Sequence, residues 1–224
     1  MRPLALVATV LVSCGPRLAP GEAAPFGPEI EDLVRANEAV GDPYRGRFPY
    51  AEAVAGLPDE GELRAILSTD EGEIVCVLDP GHAPVSVANF VGLARGLRPF
   101  QDADRTWRTV AFYDDTTWHR AFEGQFVQAG RRAGLEDGGF FLQDETSPGD
   151  SFERPGVLAM ANGGTPHSGS TQFFITTGPA KHLAGHHTVL GQCDAAAAVR
   201  RLERRVSREK AELPRLLRVE ITRG

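Results

Sequence analysis

Apolar residues in this chain come in short runs broken by glycine and proline, and that punctuation governs what it can fold into. The 224 residues include 25 glycines and 16 prolines. Both residue types end helices and mark turns, so the pattern fits a loop-rich β protein better than a helical bundle. Leu63, Ala65 and Leu67 alternate with their neighbours at the period of a strand. Thr69 to Gly72 reads as a turn. Residues 73–78 form a second apolar run rich in β-branched side chains, expected to be a strand buried on both faces and paired with the first as a hairpin. Pro84 then opens a helix, with Val87, Phe90, Val91 and Ala94 on one face and Gly96 to close it. A second amphipathic helix follows Asp194, carrying Ala195, Val199, Leu202 and Val206. Leu217, Val219 and Ile221 alternate with Arg218, Glu220 and Thr222 in a last strand. Between 117 and 191 lie more short runs separated by glycine turns. Two helices among about eight short strands predict a mainly β fold: a closed antiparallel eight-stranded barrel, capped by the helices and free of exposed edges.

Hydrophobic residues make up 42% of the chain, enough to build a core. A formal net charge of −6 argues against nucleic acid as a partner, since phosphate binding needs clustered lysine and arginine. The arginine-rich stretch from Arg200 to Lys210 is interleaved with Glu203 and Glu209 and followed by Glu212, so it reads as a solvated helix face.

The first residues read as an address. Residues 3–12 are apolar but too few to span a bilayer, which takes about 20. They match the core of a signal peptide. Leu11-Val12-Ser13-Cys14 resembles a bacterial lipobox, which implies cleavage after residue 13, lipid on Cys14, and a membrane anchor. Gly15 after the cysteine matches sorting to the outer membrane, facing the periplasm. Residues 14–61 read as a Pro/Gly/Ala-rich tether with one short helix, and residues 62–224 as the folded domain. With Cys14 assigned to lipid, Cys76 and Cys193 remain, in a compartment where a disulfide can persist; sequence alone leaves open a bond or two buried thiols.

Three blocks in the second half resemble the cyclophilin family of peptidyl-prolyl cis–trans isomerases. They are WHRAFEGQFVQAG at 118–130, GVLAMAN at 156–162 followed by QFFI at 172–175, and HLAGHHTVLG at 182–191. Upstream, Ala83-Pro84 and Asn89-Phe90 fit the family's first helix. The resemblance spans about 62–224. It implies that Arg120 is the catalytic residue and that Phe126, Gln128, Ala161, Asn162, Gln172, Phe174, Leu183 and His187 bind substrate. It implies no cofactor, proline-containing polypeptide as partner, and a monomer.

These residue types suit that chemistry. Rotation about an X–Pro bond breaks amide resonance, against an uncatalysed barrier of about 18–20 kcal/mol. No covalent bond is made, so the protein need only bind the twisted amide better than either planar form. The twisted nitrogen regains a lone pair to which a fixed guanidinium can donate. Phe126, Phe174, Leu183 and the face of His187 can form an apolar slot for the proline ring. Amides of Gln128 and Asn162 and the backbone at Ala161 can hold one side while the other turns. Because adjacent strand residues face opposite ways, one of Phe173 and Phe174 belongs to the core and the other to the pocket. A metal site at His182, His186 and His187 lacks a completing carboxylate or cysteine, and no GxSxG marks a serine hydrolase.

The chain departs from the family at several positions. Gln125 stands where an aromatic residue is usual, Phe126 replaces a methionine, His182 stands at a position that is tryptophan in some members, and Ala129-Gly130-Arg131 replaces GGD. Gln125 removes apolar lining. This leaves a second reading beside the enzyme, a cyclophilin-fold chaperone that holds proline-rich segments without catalysis.

Overall fold

The computed structural model describes residues 28–194, 196–208 and 212–224. Residues 1–27, which include the stretch read as a signal peptide, Cys14 and the first part of the expected tether, lie outside the described residues. The described part begins with two helices, α1 (Pro28–Ala39) and α2 (Tyr50–Ala53). The hairpin β1 (Leu63–Thr69) and β2 (Gly72–Leu78) follows, then α3 (Pro84–Ala94). A small ribbon pairs β3 (Phe100–Gln101) with β4 (Trp107–Arg108). Next come β5 (Thr116–Thr117), β6 (Arg120–Phe122), β7 (Phe126–Ala129), β8 (Val157–Met160) and β9 (Phe173–Thr176). A 3-10 turn at Lys181–Leu183 leads to β10 (Val189–Asp194), α4 (Ala196–Val206) and β11 (Arg215–Arg223).

Nine strands form one curled sheet in the order β5-β11-β1-β2-β10-β8-β9-β7-β6. The expected closed eight-stranded barrel is therefore corrected to an open, curled sheet of nine strands. Its two end strands are joined through the chain and not by a ladder. Only Trp118 and His119 separate β5 from β6, and the chain bends there. The Trp118 N–H donates back to Pro214 O beside β11 (2.9 Å), while the His119 N–H donates forward to Gln128 O on β7 (3.0 Å). β5 and β6, of two and three residues, are too short to pair with one another once that bend has turned them to different neighbours.

Two strands differ from their sequence reading. β2 buries Ile74, Cys76 and Leu78 but leaves Val77 38% exposed, so it is covered on one face, not both. In β11 the inward residues are Leu216, Val219 and Ile221, and Leu217 faces out. A bulge explains this: Ser68 pairs with Arg218 but Thr69 pairs with Leu216, so Leu217 is skipped and turned to solvent. Across the sheet, Cys76 on β2 stands directly opposite Cys193 on β10, and the two are disulfide-bonded.

α3 is not half-exposed. All eleven of its residues are buried. The cover on its outer side is the segment read as tether, which belongs to the folded body from residue 28. Phe48 packs so closely that a Cβ on Gly92 would lie 2.5 Å from its ring. The Arg95 guanidinium donates to Ala53 O and Ala55 O at 2.6 and 2.8 Å. The start of α3 has no side-chain cap of its own; Glu145 reaches across and accepts from the Val85 and Ser86 N–H groups (3.0 and 2.8 Å). Burial raises the Glu145 pKa, opposed by those two hydrogen bonds.

The segment is pinned by a buried ion pair. Arg98 and Asp42 have no solvent-exposed side-chain surface. Their two bonds are both 2.7 Å, and Asp42 also accepts from the Gly46 and Tyr44 N–H groups. The guanidinium lies 3.9 Å from the centre of the Phe140 ring. Burial pulls the Arg98 pKa down, and the bond to Asp42 opposes this. Removing one partner strands the other charge without water. Asp42→Ala should therefore lower unfolding free energy by about 3–5 kcal/mol, read by urea denaturation. A loss below about 1 kcal/mol would show that the segment is held without the pair, by its apolar contacts and the Arg95 hydrogen bonds.

Candidate functional site

The register of four strands builds the site. Arg120 pairs with Gln128 and Phe122 with Phe126 across β6 and β7. Gln128 pairs with Phe174 across β7 and β9, and Phe174 with Ala159 across β9 and β8. Opposed residues share a face, so Arg120, Phe122, Phe126, Gln128, Phe174 and Ala159 project to one side. Val127, Ala129, Leu158, Met160, Phe173 and Ile175 project to the other and join the main core. There Phe173 meets Phe90, Tyr113 and Trp118 edge-on, with ring centres 5.3–5.7 Å apart. Phe173 is thus the core member of its pair, and Phe174 belongs to a smaller cluster with Phe152, Ala161 and Leu183.

A cleft of about 560 Å³ opens on the first face. Arg120, Phe126, Gln128, Ala161, Asn162, Phe174, Leu183 and His187 all line it. Gln172 does not. It lines an adjoining cavity of about 300 Å³ that shares Gln128, Ala161 and Asn162. Gln172 acts on the cleft through Gln128: its Oε1 accepts from Gln128 Nε2 (2.7 Å), and its own Nε2 donates to Glu136 O (2.5 Å). His119 Nε2 lies 3.0 Å from the same Oε1, which can only accept, so His119 carries its proton on Nε2. Burial, helped by the nearby Arg131 charge, lowers the His119 pKa. The Gln128 amide is thereby fixed in direction before any substrate arrives.

The apolar end is aromatic. The Phe174 ring sits 5.2 Å from Phe126 and 5.1 Å, edge to face, from His187. His187 Nδ1 donates to Met160 O (3.0 Å), and burial lowers its pKa, so the ring packs as a neutral body. The Asn162 side chain is committed to two loops: Nδ2 donates to His186 O (2.8 Å) and Oδ1 accepts from the Gly164 N–H (3.1 Å). These bonds orient the amide at the cleft wall, where it was expected to hold substrate. Arg120 is exposed at the rim, its guanidinium carbon 5.9 and 5.8 Å from the Phe122 and Phe126 ring centres. Among the described residues no carboxylate pairs with it.

Sequence reasoning passed over three contributors. Phe122 lines the cleft, and its place two residues beyond Arg120 on a strand was the available signal. His119 was read only as part of a motif. Glu203, assigned to a solvated face, is 7% exposed. Its Oε1 accepts from the Gly124 N–H (2.7 Å) and the Thr177 hydroxyl (2.6 Å). It thus ties α4 to the β6–β7 turn and to the residue after β9. The helical period held the signal: Glu203 lies four residues after Val199 and three before Val206, on the apolar face of α4.

Known proteins resemble the chain over this region. The profile of the family described as "Cyclophilin type peptidyl-prolyl cis-trans isomerase/CLD" matches residues 64–223. Peptidyl-prolyl cis-trans isomerase A of Mycobacterium tuberculosis is 39% identical over 142 residues, covering 62% of this chain and 78% of that protein. Peptidyl-prolyl cis-trans isomerase B of Streptomyces anulatus is 39% identical over 139 residues, covering 61% and 79%. A solved cyclophilin-type isomerase of Cryptosporidium parvum shares the fold, with a TM-score of 0.60, 23% identity, and coverage of 73% of this chain and 99% of that one.

Proposed function

The chain belongs to the cyclophilin-type peptidyl-prolyl cis-trans isomerase family, and we infer that its cleft turns X–Pro bonds by binding the amide in its twisted form. The protein is an isomerase; its relatives carry that name, and the reading as a catalytically silent chaperone is set aside. The observation that carries the mechanism is the pairing of Arg120 with Gln128 on the same face as Phe126 and Phe174.

The proline ring enters the apolar slot between Phe126, Phe174, Leu183 and His187. Burying it there anchors one side of the bond. The chain before the proline is held by the Gln128 amide and by the main chain at Ala161 and Asn162. The Asn162 side chain serves to brace the loops behind it. Arg120 donates to the nitrogen lone pair that appears as resonance is lost, and to the neighbouring carbonyl. Its two ring contacts and the absence of a competing carboxylate among the described residues leave the guanidinium oriented and available. Polar Gln125 at the rim lowers affinity for the ring without touching this chemistry.

Arg120→Ala should keep its fold, since the side chain is exposed, and lose at least about tenfold in kcat/KM for an X–Pro peptide while peptide binding changes less. Isomerisation that survives the substitution would remove Arg120 from the mechanism.

The protein works, in this reading, on exported or envelope proteins. The apolar residues 3–12, the lipobox-like Leu11-Val12-Ser13-Cys14 and the Cys76–Cys193 disulfide support it, because such bonds persist outside reducing cytoplasm. Cells given labelled palmitate should label the chain, and Cys14→Ala should abolish the label. An unlabelled wild-type chain found in the cytoplasmic fraction would overturn the export reading.

A further inference from the structure

We propose that Phe122 is a specificity-determining residue of the cleft, contacting the substrate residue that follows the proline and favouring apolar side chains there. The proposal rests on the isomerase reading and gives Phe122, which that reading uses only as a ring beside Arg120, a contact with substrate of its own. Phe122 is 49% exposed, and it is the one aromatic residue among the exposed large hydrophobic side chains of the described chain. A phenylalanine half in water at the wall of a cleft leaves much of its apolar surface for a ligand to cover.

Its surroundings hold it ready. Phe122 pairs with Phe126 across the β6–β7 hairpin, with rings stacked at 5.7 Å and 29°. The turn below is closed by the Gln125 N–H donating to Phe122 O (2.9 Å) and fastened by Glu203 to the Gly124 N–H. The guanidinium of Arg120, two residues away on the same face, lies near both rings. Phe122 therefore extends the aromatic wall of Phe174 and Phe126 outward, past the catalytic residue.

Register supplies the direction. Ala161 and Asn162 follow β8 beyond Met160, which pairs with Phe173, which in turn pairs with Ala129. The clamp thus lies at the Ala129 end of β7, and Phe122 lies at the opposite, Phe126 end. With the clamp holding the chain before the proline, Phe122 meets the residue after it. An exposed ring gains from an apolar partner roughly in proportion to the area covered, enough for a preference of about fivefold or more.

The test compares Ala-Ala-Pro-Phe with Ala-Ala-Pro-Gly as substrates of the full chain. Wild type should prefer the first at least about fivefold in kcat/KM. Phe122→Ala should bring the ratio close to one, and Phe122→Tyr should keep it. A general structural defect would lower both rates and leave the ratio alone. No preference in wild type, or a ratio unchanged in Phe122→Ala, overturns the proposal. Should wild type accelerate neither peptide, the isomerase reading fails, and calorimetric titration of the same two peptides decides the matter. An affinity preference lost in Phe122→Ala then supports Phe122 as the contact, and equal affinities refute it.

Discussion

Everything the cleft does depends on the pairing register of β6, β7, β9 and β8. A strand's side chains alternate, so a one-residue slip would exchange its two faces. Val127 and Ala129 would enter the cleft, and Phe126 and Gln128 would be driven into the aromatic core. The register is held from the core side by Phe173, packed among Phe90, Tyr113 and Trp118. It is held from the turn side by Glu203, which fastens the β6–β7 turn to α4. The bend at Trp118 and His119 then hands the chain from β11 to β7 and delivers Arg120 opposite Gln128.

The polar parts of the site are oriented in the same economical way. Gln172 accepts from Gln128 and His119 on one atom, so three side chains share one direction. Because no proton or electron moves in the reaction, fixed direction is the main thing the site must supply. The two neutral histidines agree with this. Each is buried enough for its pKa to fall, one positioning an amide and the other packing on Phe174.

Much of this was legible in the sequence because it is written in local periods and motifs. The β1–β2 hairpin, α3, α4 and the last strand follow from alternation or from the 3.6 period. The cleft residues followed from motif blocks, eight of nine meeting at one opening. What escaped depends on distant partners. The bulge that turns Leu217 outward is set by Ser68 and Thr69 on another strand. The Asp42–Arg98 pair that fixes the segment before residue 62 spans 56 positions, and a segment rich in proline, glycine and charge gives no local sign of it. Glu203 falls on the inward face of α4 by its helical period, but its partners Gly124 and Thr177 are remote in sequence, so its role in fastening the hairpin turn was not legible. Phe122 belongs to none of the matched positions, and the strand pairing shows that it shares Arg120's face.

Whether this face binds and turns X–Pro bonds can be read by exchange NMR on a proline peptide with a small amount of the protein. Cis–trans exchange should fall to a sub-second timescale, where the free peptide takes tens to hundreds of seconds. With saturating peptide, amide shifts should concentrate at 120–128, 159–163 and 172–174. Exchange no faster than the free peptide, or shifts confined to another surface, would contradict that role for the face.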